Sequence, residues 1–267
     1  MTIHESVAGT SAALMPRLFS DGQVRSAHSL VTHDIALGIL RGDLPPDSLL
    51  PNEADLIDKY GVSRTALREA IKTLTAKGFL ISKTKVGTRV LHEGHWNMYD
   101  PQVLTWRVEL GVNDIFLQNI YEVRQAVEPA AAAFAAIRRT DEHLDDMRQF
   151  LGRMSAPRHT RESYAEPDLG FHQQVLLASG NPFMQSFSSV IEAAIRCSFQ
   201  ISAPVDSVER LQVSIDRHGK VLEAIADQDA CSACEAMTQV IREGIENAHY
   251  QLASSPLVIT MPLQMMT

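Results

Sequence analysis

The stretch GVSRTALREAIKTL, Gly61 to Leu74, decides how the rest of this 267-residue chain is read. Arg64, Arg68 and Lys72 recur every four residues, so on a helix they stack along one edge, beside an apolar stripe of Leu67, Ala70, Ile71 and Leu74. Ser63 is placed to cap that helix, and Gly61 supplies the turn before it. Upstream, Asn52 can cap a shorter helix running to about Tyr60, with Glu53 and Asp55 set against its N-terminal dipole. Further upstream, Ala27, Leu30, Val31, Ile35, Ile39 and Leu40 recur at helical steps between Ser26 and Leu40, and the Pro45-Pro46 pair stops that pattern. Downstream, FLISK (79–83) and TRVL (88–91) predict two short strands joined by TKVG, where Gly87 permits a positive φ. Three helices followed by a β-hairpin is the order of a winged helix-turn-helix.

The charge distribution supports a local role for this module. The whole chain carries a formal charge of -8, which argues against a protein that coats nucleic acid over its entire surface. From Gly61 to Val90, however, seven basic residues face one acid, Glu69, for a net of +6, leaving -14 elsewhere. A basic stripe on one helix can be only a solubilising face, but a capped preceding helix, a tight turn and a basic hairpin together favour DNA.

Three cysteines, Cys197, Cys231 and Cys234, are too few for a disulfide framework and point to a reducing compartment. Cys231-x-x-Cys234 reads either as two small core residues or as a redox or metal pair. No signal-peptide pattern opens the chain, and its longest mostly apolar run, AVEPAAAAFAAI, is too short for a bilayer. A soluble cytoplasmic protein with no membrane partner is therefore expected.

Five segments are expected: a loose arm over 1–20, the winged helix-turn-helix over 21–91, a linker over 92–112, an all-helical effector-binding and dimerisation domain over 113–254, and a tail over 255–267. The linker holds both tryptophans, Trp96 and Trp106, whose rings would either bury against a neighbour or serve a ligand. Helices are predicted near 114–138, 141–154, 159–179, 181–200, 207–228 and 230–252, so the fold class is mainly α with a C-terminal bundle of six or seven helices.

In a helix-turn-helix the second helix enters the major groove N-terminus first, which nominates Ser63, Arg64, Thr65 and Arg68. Arginine donates two hydrogen bonds at once to a guanine edge, while hydroxyls and helix-start N–H groups suit phosphate. Glu53 on the preceding helix and Lys85, Gly87 and Thr88 in the hairpin complete the candidate DNA-binding set. The run from Leu44 to Val90, LPPDSLLPNEADLIDKYGVSRTALREAIKTLTAKGFLISKTKVGTRV, resembles the DNA-binding domain of the GntR superfamily. That resemblance implies DNA contacts by Ser63, Arg64, Thr65, Arg68 and Gly87. Ala54 stands where many members have an arginine, which implies one lost contact or a different operator.

In the helical half, Asp168 and His172 lie four apart in DLGFHQ and can grip one ion or form a structural pair, with His218 of DRHGKVLEAI as a third ligand from another helix. YEVRQAVEPAAAAFAA, DLGFHQQVLLASGNPFM and RHGKVLEAIADQDACSACEAM are similar to the all-helical ligand-binding domain of the FadR branch of the superfamily. The resemblance implies a divalent metal (Zn, Ni or Mn) on Asp168, His172 and His218. Its fourth ligand position falls on Val240, which cannot coordinate. A three-ligand open site, substitution by Glu243 or Asn247, and a metal-free site that binds effector directly all remain open.

Arg124 and Arg196 lie on otherwise apolar helices. Each reads either as half of an internal ion pair, for Arg124 with Glu128 or Glu122, or as a clamp for a small carboxylate. With Asp168, His172 and His218 they form the candidate effector-binding set. HWNMYDPQVLTWRVE followed by EVRQAVEP is similar to repressors of sugar-acid catabolism, galactonate-operon repressors among them. The expected protein is a homodimeric repressor rather than an enzyme, released from a two-fold symmetric operator DNA by a small carboxylate or sugar-acid effector. A metal-responsive regulator and a metal-dependent hydrolase are the alternatives.

Overall fold

The Ser26 side chain accepts the Ser29 backbone N–H at 3.2 Å and starts α1 (Ala27–Leu40). The computed structural model describes residues 26–254 apart from 112 and 202, so the expected arm over 1–20 and tail over 255–267 lie outside the described residues. Although α1 reads as amphipathic, residues Ile35 to Ile39 are all buried, because α3 and α4 both pack on it. Asn52 and Ser63 cap α2 (Glu53–Tyr60) and α3 (Arg64–Ala76) through the backbone N–H groups of Asp55 and Ala66. Leu67, Ala70 and Leu74 of α3 close onto Val31, Ile35 and Leu56 in the N-terminal core, with Ile71 only partly buried.

The hairpin consists of β1 (Leu80–Lys83) and β2 (Gly87–Val90), antiparallel, with Lys83 opposite Gly87. Its turn uses two left-handed residues, Gly87 at φ 111° and also Lys85 at φ 64°, for which the sequence had predicted no such conformation. Leu49 adds an isolated antiparallel bridge to Arg89, and the Leu50 N–H donates to the Thr88 carbonyl at 2.8 Å.

The segment over 92–112, read as a linker, contains a helix. Asp100 caps it, Pro101 occupies its first position, and α4 runs Pro101–Glu109. Its faces divide between two cores: Val103 and Trp106 pack in the N-terminal one, Leu104 and Val108 in the C-terminal one. Trp96 stacks on Phe79 with ring centroids 4.8 Å apart, so both tryptophans are structural. Gly78, at φ 81°, abuts the same segment so closely that a Cβ there would lie 1.9 Å from the His95 carbonyl oxygen. Lys77, at the end of α3, holds Asp100 at 2.7 Å.

The C-terminal bundle comprises α5 (Asp114–Arg138), α6 (Asp141–Met154), α7 (Arg161–Ala178), α8 (Pro182–Gln185), α9 (Ser188–Ile201), α10 (Val208–Ala226) and α11 (Ala230–Ser254). The single helix expected over 181–200 is two, because Asn181 and Pro182 start one turn that stops at Ser186 before the chain restarts. The break sets Phe187 edge-on against Tyr99, with centroids 5.3 Å apart. Two helices carry internal prolines, Pro129 in α5 and Pro167 in α7, each beside an acidic residue, Glu128 and Asp168. Cys197 is buried, while Cys231 is exposed in the first turn of α11 and so is not the core residue one reading made it. Among the described residues, no helix is long and apolar enough to cross a membrane.

Candidate functional site

Two sites emerge, one on the surface of α2 and α3 and one inside the bundle. On the surface, Ser63, Arg64, Thr65 and Arg68 are exposed together at the start of α3. The Ser63 oxygen accepts the Ala66 N–H at 3.1 Å, which leaves its hydroxyl proton to donate outward. Glu53 gathers both arginines: Arg68 Nε donates to Glu53 Oε1 at 2.9 Å, and Arg64 Nε lies 3.7 Å from the same oxygen. In the wing, Lys85 is exposed at the tip, and Thr88 Oγ1 and Ser82 Oγ are 3.0 Å apart across the strands. Ala54 is exposed beside Glu53 and offers nothing polar.

The +6 window is not one continuous face. Lys77 is tied to Asp100, Lys72 to Glu69 at 2.6 Å, and Arg89 donates to the Asp47 carbonyl at 2.9 Å. Those cations have partners within the protein, as Arg64 and Arg68 have in Glu53, while Lys83 and Lys85 stand exposed on the hairpin.

Inside the bundle, helical spacing assembles a polar cluster in an otherwise apolar core. Residues four apart share a face, so α5 presents Arg124 and Glu128, α7 presents Asp168 and His172, and α10 presents Ser214 and His218. All six side chains belong to buried residues. Ligand atoms of Asp168, His172 and His218 lie within 4.8 Å of one another. His218 Nε2 is 3.4 Å from Asp168 Oδ1 and 3.4 Å from His172 Nε2.

Hydrogen bonds behind the cluster fix which nitrogens face it. His218 Nδ1 lies 2.7 Å from the Ser214 carbonyl, and His172 Nδ1 forms a short contact with the Glu128 carboxylate. A carbonyl and a carboxylate only accept, so both Nδ1 atoms carry the proton, and the two Nε2 atoms are the ones gathered with Asp168. Two lone pairs and a carboxylate converging in a buried space suit a cation, and second-sphere acceptors of this kind orient metal-bound imidazoles. The donor set therefore fits a divalent metal.

Charge balance comes from Arg124, whose Nε donates to Glu128 Oε1 at 2.5 Å. Burial pushes the Glu128 carboxyl up, but the charge of Arg124 and the hydrogen bonds from Arg124 and His172 outweigh burial and hold it at about 2. Burial is the largest influence on His218 and, despite the opposing pull of Asp168, holds it down at about 4, so at neutral pH it is an uncharged ligand.

A cavity of about 50 Å³ opens onto this cluster, and its lining includes Tyr121, Ser198 and Phe199 as well as Val240, Glu243 and Asn247 of α11. Tyr121 Oη and Ser198 Oγ are 2.5 Å apart at its edge. The structure thus brings Arg124, Asp168, His172 and His218 together. It does not bring Arg196 to them: Arg196 pairs with Glu192 at 3.0 Å, because Ile195, Ser198 and Phe199 share the cavity face of α9 and residue 196 falls off that face. Val240 sits at the cavity wall, and Glu243, one turn on, is held by Arg217 at 2.9 Å rather than gathered with the three ligands. Sequence reasoning paired Glu128 with Arg124 but missed its second role under His172, 44 residues away; it missed Arg217 altogether.

Comparison with known proteins gives the family of each half of the chain. Residues 29–90 match the description of bacterial regulatory proteins of the gntR family, and residues 119–243 match the FCD domain. The chain is 33% identical over 209 residues to the galactonate operon transcriptional repressor of Escherichia coli (strain K12), covering 78% of this chain and 91% of that one. It is 32% identical over 215 residues to the HTH-type transcriptional regulator YieP of the same strain, covering 80% and 91%. The solved structure of the Lar regulator of Listeria monocytogenes shares the fold, with a TM-score of 0.56, 20% identity, and coverage of 86% of this chain and 99% of that one. With a helix-turn-helix whose arginines face outward and a helical domain built around a buried polar cluster, the chain belongs to the GntR family of transcriptional regulators that carry a C-terminal FCD domain.

Proposed function

We propose that this regulator is a homodimeric repressor of an operon for sugar-acid or related carboxylate catabolism, released from a two-fold symmetric operator when a small hydroxycarboxylate enters the helical domain. The observation that carries this reading is the Arg124 guanidinium, buried beside three metal-type ligands at the cavity. A carboxylate matches its fork, and hydroxyls can bond Tyr121 and Ser198 at the cavity edge. The galactonate repressor among its relatives points to the same ligand class. Asp168, His172 and His218 would hold a divalent metal such as Zn, Ni or Mn, which when bound supplies positive charge to an anionic ligand. Val240 contributes no ligand atom, so the protein supplies three donors and leaves the remaining positions open.

On the DNA side, Arg64 and Arg68 read base edges while Ser63 and Thr65 bind phosphate, with Lys85, Gly87 and Thr88 of the wing against the backbone. One recognition helix reads only a few base pairs, so paired half-sites of a dimer supply specificity.

The cavity, at about 50 Å³, is small beside the roughly 300–1,000 Å³ of ordinary ligand sites, so a sugar acid has to displace its walls. One wall is α9, which carries Ser198 at the cavity and Ser189 at its other end, where Ser189 Oγ donates to the Tyr99 carbonyl at 2.9 Å. Tyr99 adjoins Asp100, and Asp100 holds Lys77 at the end of α3. Movement of α9 therefore reaches the DNA-reading helix through α4, by as much as the ligand's affinity differs between the two arrangements.

The test is fluorescence anisotropy on labelled DNA from upstream of the chain's own gene, with a panel of sugar acids and small carboxylates, with and without chelator. Release by a hydroxycarboxylate is the expected result. Indifference to every carboxylate, with affinity changed by divalent ions alone, would replace this reading with metal sensing, which the converging ligand set also suits.

A further inference from the structure

We propose that the Lys77–Asp100 pair determines operator specificity: it fixes the angle at which α3 stands on the helical domain, and so the number of base pairs between half-sites that a dimer accepts. The inference rests on the two-fold reading of the operator and names the residues that set its spacing.

Asp100 works in two directions. Its Oδ1 accepts the backbone N–H groups of Gln102 at 2.9 Å and Val103 at 3.2 Å, which starts α4. Both of its oxygens also accept from Lys77 Nζ, each at 2.7 Å. Lys77 is the C-terminal cap of α3, so one carboxylate joins the end of the DNA-reading helix to the start of the helix that enters the bundle. With side chains 13% and 20% exposed, the pair is only lightly screened by solvent. The backbone closes the same junction: the Asn97 N–H donates to the Lys77 carbonyl at 2.9 Å, and Gly78 leaves no room for a side chain against His95.

At the far end of α4, Glu109 lies 2.7 Å from His33 of α1, while Leu104 and Val108 pack in the bundle core. The DNA-binding module is thus mounted on the bundle through a helix that both cores grip. Apolar contacts are non-directional and let one surface roll on another, whereas the paired charges at the end of α3 define a direction. The dimensions make that direction consequential. With 13 residues α3 is about 20 Å long, so a tilt of about 10° at Lys77 moves its DNA-reading start by about 3.5 Å. One extra base pair between half-sites shifts the second by about 3.4 Å and turns it by about 34° around the duplex. A mount held to within that tilt tells apart spacers that differ by one base pair, and a looser mount does not.

The test uses the full-length chain and a pool of random duplexes, from which repeated selection gives the half-site it prefers. Fluorescence anisotropy then compares a duplex carrying one half-site with inverted repeats whose spacers differ by single base pairs. Wild type is expected to bind its best spacer at least about 10-fold tighter than the neighbouring lengths. Lys77→Met keeps an unbranched stem beside Trp106 and leaves the Asp100 cap in place, and Asp100→Asn keeps an oxygen for that cap. Both variants are expected to narrow the ratio to about 3-fold or less, with single half-site affinity and base preference unchanged. Lys77→Arg, which restores the ion pair, should recover the wild-type ratio. Circular dichroism checks each fold, and either variant suffices if the other is unfolded.

A wild-type chain that accepts neighbouring spacers equally overturns the proposal, as does wild-type selectivity in a folded Lys77→Met or Asp100→Asn chain. Loss of single half-site binding in those variants overturns it too, since the pair would then act by holding α3 together. Selected sites that carry no inverted repeat refute instead the two-fold reading beneath it.

Discussion

The start of α3 and the cluster behind His172 both concentrate charge, yet they are built on opposite terms. Arg64 and Arg68 stand in solvent, share one carboxylate loosely, and could each change without disturbing a core. Arg124 and Glu128 are 5% and 1% exposed and survive inside only as members of a closed network. Exposed charge costs little to place and is available to an outside partner, whereas buried charge holds the fold hostage to its own pairing.

The largest expected effect breaks the buried side of this contrast. Glu128→Ala leaves Arg124 uncompensated and His172 unanchored, and chemical denaturation should show a loss of about 3–5 kcal/mol. A loss under about 1 kcal/mol would mean that the network is no tighter than a surface pair.

Acid should separate the regions next. Two buried groups have depressed folded-state pKa values: His218, at about 4 against 6.5, and Glu128, at about 2 against 4.5. In both windows the unfolded chain binds a proton that the folded chain refuses, so stability rises with pH there. Chelator-treated protein should therefore lose stability as pH falls from 6.5 to 4 through His218, and again from 4.5 to 2 through Glu128. Thermal midpoints measured across that range check it. A His218→Asn variant should flatten the upper window only.

A smaller and cleaner effect belongs to the surface. Arg68→Ala should weaken operator binding by about 1–3 kcal/mol and relax specificity at one base pair, with its thermal midpoint unchanged. An unaltered sequence preference would demote Arg68 to a phosphate contact. Smallest of all, Lys72→Ala should change operator affinity by no more than about two-fold, since Lys72 lies two turns from the α3 start and already pairs with Glu69.

What the sequence disclosed follows the same division. Caps at Asn52 and Ser63, the four-residue charge spacing and the Gly87 turn act within a few residues, so the winged helix was legible locally. Asp168 with His172 was legible for the same reason. The partner under His172 was not, since Glu128 meets it only after two helices pack. For Arg196 the sequence left an ion pair and a clamp open, because apolar neighbours do not reveal which face of α9 looks at the cavity; the structure shows the ion pair, with Glu192. The helix α4 was hidden because Pro101 reads as a breaker unless Asp100 before it is recognised as a cap.

The prolines beside Glu128 and Asp168 bear on how the cluster could adapt. Each lacks an amide hydrogen, so at Pro129 and Pro167 the ladder of α5 and of α7 is already missing one rung. Both helices run on unbroken, but bending at either seam, next to a carboxylate, disrupts one fewer backbone hydrogen bond than elsewhere in the helix. The polar cluster thus has a weak point on two of the helices that build it, and in amide hydrogen exchange the residues flanking those seams should open in smaller units than the rest of their helices.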